Sequence, residues 1–280
     1  MLSHDLRSGL WRQRGLLLIS LGVALYSSLI IYRVMNNVAA ITGGTFSLTM
    51  GELLFYLLIG TLPATLSGPM DIPAIWLFFQ VGCLLFTLNH PVNDLEQSGT
   101  QILLRSGSRL KWWLCKCVWN VLCVLLYNAA AWAMMAVFCA VLRLPLTLEV
   151  RAEFAFDLLP SADIEDLSVV YSTQEMLFQL VLVPLLAMLA MNLLQMFNTF
   201  FLSQILGFVV SITLLIVSLF QCAPWAIGNF GMMQRNSTFF AEGLDFGTAP
   251  PILLGVCLCA VVAGCVLLRK KDILSVHIGG

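Results

Sequence analysis

Charge is what this chain has least of: only 10% of its 280 residues are Asp, Glu, Lys or Arg, while 60% are apolar. A soluble domain carries roughly a quarter charged residues, and a mean hydropathy of +0.93 lies far outside that class. The few charges sum to -1, so no basic surplus exists to attract nucleic acid. Histidine is scarcer still, and His4, His90 and His277 stand apart from one another, as terminal or interfacial residues do rather than ligands. The motifs H-E-x-x-H, G-x-S-x-G and G-x-x-x-x-G-K-[ST] are all missing. Their absence removes the sequence case for a zinc peptidase, a nucleophile-elbow hydrolase or a phosphate-loop nucleotidase.

Cysteine is present but not arranged for chemistry. Eight of the nine (Cys83, Cys115, Cys117, Cys123, Cys139, Cys257, Cys259 and Cys265) lie in or beside apolar runs, where a thiol behaves as a small apolar group. Only Cys222 falls in a connection expected outside the membrane, and a lone thiol makes no disulfide framework. The Cys-x-Cys pairs at 115 and 257 have the wrong spacing for zinc, with no histidine near either.

What the chain has in abundance is long apolar runs. A helix needs about 20 residues to cross some 30 Å of hydrocarbon, and six stretches approach that length: 15 to 32, 72 to 88, 113 to 142, 176 to 194, 200 to 220 and 250 to 268. The sequence therefore predicts a single all-α polytopic membrane domain, 1 to 280, with six transmembrane helices and both termini cytoplasmic. A seventh tempting stretch, 51 to 68, is interrupted by Glu52 and Pro63. It reads as part of an outer segment, 33 to 71, that is interfacial or re-entrant.

The cations fix the orientation. Cytoplasmic pieces at 1 to 14, 89 to 112, 195 to 199 and 269 to 280, with Lys116 just beyond, hold ten of the fourteen Lys and Arg, as the positive-inside rule requires. Eleven of the fifteen carboxylates fall on the other side. Most of these occupy the outer loop 143 to 175, where "LTLEVRAEF" alternates as a half-buried strand does and Ser172-x-x-Glu175 forms a capping box. Arg7, Arg12 and Arg14 precede the first run as in a signal peptide, but the run is too long and no cleavage site follows. Leu2, Leu6 and Leu10 share one stripe, which suits a short interface helix over 1 to 14.

The spans themselves lack Asp, Glu, Lys and Arg at their centres. Proton relays, coupling-ion sites and voltage sensors normally depend on such residues, so any uphill transport must draw on another polypeptide. The inner loop 89 to 112 is where one could attach. Leu95, Ile102 and Leu103 fall on one helical face, the chain breaks at Ser106-Gly107-Ser108, and Arg105, Arg109 and Lys111 lead to Trp112 and Trp113. Trp112, Trp113 and Lys116 read as anchors in the headgroup zone. Simple anchoring accounts for the basic and aromatic residues; the apolar face additionally suits seating in a groove of a soluble partner.

Two further patterns concern packing. Ser203-x-x-x-Gly207-x-x-x-Ser211 and Ala260-x-x-x-Gly264 are small-residue stripes, which let helices approach closely in lipid; either suits contact inside one chain or between chains. Pro224, Trp225, Gly228 and Gly231 in the outer connection 221 to 249 suit a broken, membrane-dipping backbone, and an ordinary outer loop remains the alternative.

With "GTQILLRSGSRLKWWLCK" after the second span and "RKKDIL" after the sixth, the chain resembles ABC-2 type permease subunits of bacterial ATP-binding cassette transporters. The resemblance implies a coupling helix at 94 to 109, with Gly99, Arg105, Gly107 and Arg109 at the matching positions. It implies a bacterial cytoplasmic membrane, a separate ATPase that carries the ATP and magnesium, and no cofactor or catalytic residue on this chain. It further implies a second permease chain facing the first and fifth spans, with Ser203, Gly207 and Ser211 near that seam, and a re-entrant element before the last span. A scaffold that recruits a cytoplasmic partner through the same loop, transporting nothing, is the competing expectation. The orientation is open to test: in a variant whose nine native cysteines are replaced by serine or alanine, a cysteine introduced at Ser106 is expected to react with a membrane-impermeant maleimide only after the cytoplasmic face is opened. Labelling of intact cells would reverse the topology.

Overall fold

The computed structural model describes residues 2–43, 47–63, 72–88, 109–159 and 164–270, with side chains from Arg14 onward in the first of these. Among the described residues there are nine α-helices: α1 Leu2–Thr42, α2 Met50–Leu57, α3 Ala74–Leu88, α4 Arg109–Leu142, α5 Ala152–Leu158, α6 Thr173–Met176, α7 Val183–Phe201, α8 Gln204–Phe220 and α9 Ala249–Lys270. A π-helical turn, Leu177–Leu182, joins α6 to α7 without a break. Strands β1 Val150–Arg151 and β2 Val170–Tyr171 pair antiparallel, Val150 opposite Tyr171.

Among the described residues, four helical stretches are long and apolar enough to cross a membrane: 14–41, 110–142, 173–201 and 246–268. Helices α3 and α8 coincide with the other two expected spans but have 15 and 17 residues, or about 22 and 26 Å of rise. Two boundaries differ from expectation. The interface helix over 1 to 14 and the first span are one continuous α1, because nothing between Trp11 and Leu16 caps or breaks a helix except Gly15, which a helix interior tolerates at a cost of about 1 kcal/mol. The inner turn expected at 195 to 199 is helical; the chain breaks instead at Leu202 and Ser203, where the Ser203 side chain accepts the Leu206 amide and caps α8.

The short elements at one end of the bundle form one cap. The half-buried strand expected from "LTLEVRAEF" is reduced to Val150 and Arg151, and Ala152 onward is α5, since residues 152 to 158 pack Phe154 and Ala155 inward. Helix α4 ends in a Schellman turn: Leu144 N–H donates to Cys139 O (2.8 Å) and Arg143 N–H to Ala140 O (3.3 Å), with Arg143 left-handed at φ 57°. The capping box of Ser172 and Glu175 is formed in both directions, 3.3 and 2.9 Å, and these bonds hold the Glu175 carboxyl below its usual range.

Stretch 51 to 68 begins as the eight-residue α2, too short to cross a membrane. Thr49 and Glu52 close its own capping box, and Gly51 is required because a Cβ there would meet the Leu148 backbone. Glu52 is wholly buried and grips Arg151, which donates from Nε to Oε1 at 2.7 Å and from Nη2 to Oε2 at 2.9 Å. The same hydrogen bond is the main cause that raises the Arg151 guanidinium above its usual range. The residue that argued against a span is thus the clamp that ties 47–57 to the loop after α4. Removing one partner strands a buried charge, so Arg151→Ala is expected to destabilise the protein by about 2–3 kcal/mol, read as a lowered unfolding midpoint in detergent. Lys, which cannot grip bidentately, should restore only part of it.

Candidate functional site

The helix ends sort into two sets. One set comprises the ends of α1, α4 and α8, the starts of α3, α6 and α9, and the cap. The opposite end gathers Leu88 of α3, the start of α4, the Leu202–Ser203 turn and the end of α9. The loop singled out in the sequence joins α3 to α4 at this second end. Its residues Leu95, Gly99, Ile102, Leu103, Arg105 and Gly107 lie outside the described residues; Arg109 is the first residue of α4.

Where that loop meets the bundle, the structure corrects one expectation. Trp112, Trp113 and Lys116 do not face the headgroups: each is 1% exposed. Trp112 and Trp113 pack on Phe200, with ring centroids 5.5 and 5.7 Å away, and Trp113 also reaches Phe201 of α7. Trp113 Nε1 donates to Val261 O of α9 at 3.1 Å, and Lys116 Nζ lies 5.7 Å from the Trp112 ring centre, within cation–π range. Gly264 makes the seat for Trp113, since any Cβ there would collide with the indole. The Ala260–Gly264 stripe therefore serves packing within the chain. Helix α4, the first element after the loop, is locked through two indoles to α7 and α9.

The second stripe is likewise occupied internally, which overturns its expected role at a seam between chains. A Cβ on Gly207 would strike the backbone and side chain of Thr199 in α7. Ser211 is 1% exposed, bonding its Oγ to Gly207 O at 3.0 Å. Only Ser203 remains exposed, as the cap of α8.

Above the tryptophans runs a polar seam that the sequence reading left unassigned. Thr87 of α3 donates to Asn192 Oδ1 of α7 at 2.7 Å, and Asn192 Nδ2 donates to Met188 O at 2.7 Å. Asn120 of α4 donates to Asn192 O at 3.4 Å, and Gln195 Nε2 to Leu84 O at 2.9 Å. Tyr127 donates to Phe79 O at 3.2 Å, close against Gly82. The signal was legible as spacing: 116, 120 and 127 share one face of α4, as 192, 195 and 199 do of α7. Asn120 Oδ1 and Gln195 Oε1 are buried and accept no hydrogen bond among the described residues. These amides bridge α3, α4 and α7 and fix their register. No three His, Cys, Asp or Glu converge on a metal position among the described residues.

The outer connection is broken backbone sheltered by helices. Residues Ile227–Gly231 form a buried 3-10 turn, with Gly228 against Ser218 and Gly231 against Gln80 and Trp76, whose Nε1 donates to Gly231 O at 2.7 Å. Pro224 and Trp225 are exposed. Arg235, unremarked in the sequence, is fully buried and donates to Thr61 O (2.6 Å), Ser218 O (3.3 Å) and Leu219 O (3.0 Å). Burial pulls its guanidinium below the usual range, and the carbonyl end of α8 offsets that cost.

Because Trp113 fills the space above Gly264, Gly264→Val is expected to expel the indole at a cost of about 1–3 kcal/mol. The checks are a lower unfolding midpoint and increased quenching of tryptophan fluorescence by a lipid-soluble quencher. An unaltered midpoint would show that α4 and α9 are not locked there.

Comparison with models of protein families, with curated proteins and with solved structures finds no match, so function must be argued from these residues alone.

Proposed function

We propose that this chain is the membrane-spanning permease subunit of an ATP-driven exporter of the ABC-2 type, in a bacterial cytoplasmic membrane. It crosses six times with both termini inside, α3 and α8 supplying the two shorter crossings through a locally thinned bilayer. A separate ATPase binds ATP and magnesium and docks on the loop 89–108, where Leu95, Ile102 and Leu103 form the seating face and Arg105 and Arg109 flank the Gly107 break. A second copy of the chain, or a homologous permease, completes the transporter. It meets the first across the outward face of α1, where Leu18, Leu25, Tyr26 and Leu29 are exposed.

The observation that carries the reading is the mechanical continuity below the loop. A soluble motor can act on a membrane domain only through a rigid element with few joints. The loop's exit becomes α4 at Arg109, and within five residues α4 is wedged through Trp112 and Trp113 against α7 and α9. Force on the loop would turn three helices as one body. A lever of this kind needs helices held in fixed register, which the amides and hydroxyls bonded across α3, α4 and α7 support.

The test is charge reversal at Arg105→Glu and Arg109→Glu together. In the assembled complex, ATPase stimulation by the permease is expected to fall at least several-fold and the partner to be lost on purification, while membrane insertion stays intact. Undiminished stimulation would reduce the loop to an anchor.

A further inference from the structure

The turn that connects α6 to α7 holds one residue more than an α-helix needs. Val183 N–H donates to Phe178 O, five residues back, where an α-helix would reach four. Ordinary spacing flanks it: Leu177 N–H donates to Thr173 O before the turn, and Leu202 N–H to Asn198 O at the far end of α7. Pro184 follows the wide bond directly. A proline ring clashes with the carbonyl four residues before it and offers no N–H, and opening the helix to a π turn relieves that clash.

A closed ring of side-chain bonds holds the turn from one side. Gln179, inside the π turn, accepts Asn236 Nδ2 on its Oε1 at 2.9 Å and donates from Nε2 to Thr238 Oγ1 at 3.3 Å, while Thr238 N–H donates to Asn236 Oδ1 at 3.0 Å. The Thr238 amide can only donate, so Asn236 must turn its oxygen there and its nitrogen to Gln179, which fixes both carboxamides. The receiving side is itself immobile. Asn236 is buried and follows Arg235, whose guanidinium bonds the carbonyls of 61, 218 and 219.

The segment before the turn is held more lightly. Thr173, Gln174 and Glu175 are exposed, and the capping box of Ser172 and Glu175 lies at the surface, where water can replace its bonds at little cost. Closing the π turn to α-helical bonding returns the surplus residue to the helix. Residues 173 to 179 then advance about 1.5 Å along the axis and turn by about 100° relative to α7. That rotation carries the Gln179 carboxamide away from Asn236 and Thr238, so the ring and the wide turn stand or fall together.

We propose that the π turn is a one-residue ratchet latched by Gln179. With the latch made, the helix stays wide over 177 to 182 and α7 is tied to the connection 221 to 249, which leads into α9. With the latch broken, the turn closes and α7 moves free of that connection. The device thus sets whether a turn of α7 is passed on to α9. The inference goes beyond the exporter reading and does not require it, because neither an ATPase nor a second chain takes part.

The test measures spin–spin distances in the full chain in phosphatidylcholine nanodiscs. The nine native cysteines are replaced by serine or alanine, and nitroxides are placed at Gln174, exposed on α6, and at Leu258, exposed on α9. One distance is expected with the latch intact. Gln179→Leu, which breaks the ring, and Pro184→Ala, which removes the clash, should each add a second distance displaced by several ångström. Deleting Val181, or Leu182 should the first deletion fail to fold, removes the surplus residue while leaving Gln179 with the cap; in that chain Gln179→Leu should leave a single distance. A single unshifted distance in both substituted full-length chains overturns the ratchet. A second distance that persists after the deletion overturns it too, because the motion then arises somewhere other than the π turn.

Discussion

Hydrocarbon does not hydrogen-bond, and that single property of the solvent arranges this molecule. A polar group inside a bilayer must find its partner within the protein or be carried to an end. The chain does both. Its cations and carboxylates cluster mostly in the pieces between the apolar runs, and many of the polar groups that remain among the helices are amides and hydroxyls bonded across α3, α4 and α7. The same constraint explains the three charged residues that are buried among the described residues: Lys116 lies over the Trp112 ring. Glu52 is neutralised by a bidentate arginine, and Arg235 is wrapped by carbonyls from 61, 218 and 219.

The two ends of the bundle have different mechanics as a result. The end that carries the cap is a knot of short elements held by main-chain bonds: Met50 to Pro145, Gly51 to Thr147, and Met233 and Gln234 to residues 58 and 59. Such a cap resists motion because many bonds must break together. The opposite end has no comparable knot among the described residues. It is joined by aromatic packing, Trp112 and Trp113 on Phe200 and Gly264, and by the Trp113 indole N–H on Val261 O, so α4 is keyed there to α7 and α9 chiefly by shape.

Small residues illustrate how far a pattern can be read. The stripes at 203, 207 and 211 and at 260 and 264 announced close approach, and close approach is found: Thr199 lies against Gly207, and Trp113 against Gly264. Their spacing said nothing of which neighbour would come. A glycine in lipid receives whatever surface is complementary, and both glycines were claimed by helices of their own chain. The anchor reading of Trp112, Trp113 and Lys116 erred for a related reason. Indoles near a span's end favour headgroups only when no partner helix offers them a groove, and here α7 and α9 do.

By itself, then, the sequence determined the solvent and the coarse architecture. Apolar length and the scarcity of charge pointed to helices in a membrane, and Glu52 with Pro63 marked 51 to 68 as unlike the other apolar runs. Local chemistry was also decided there: the boxes at Thr49 and at Ser172 need only neighbours three residues away. Tertiary structure alone decided the rest. Which face of α4 turns inward, what fills the space over Gly264 and how Arg151 finds Glu52 across 99 residues all depend on shapes that meet from distant parts of the chain. Hydropathy is a property of one residue in its solvent, but complementarity exists only between two surfaces once both have formed.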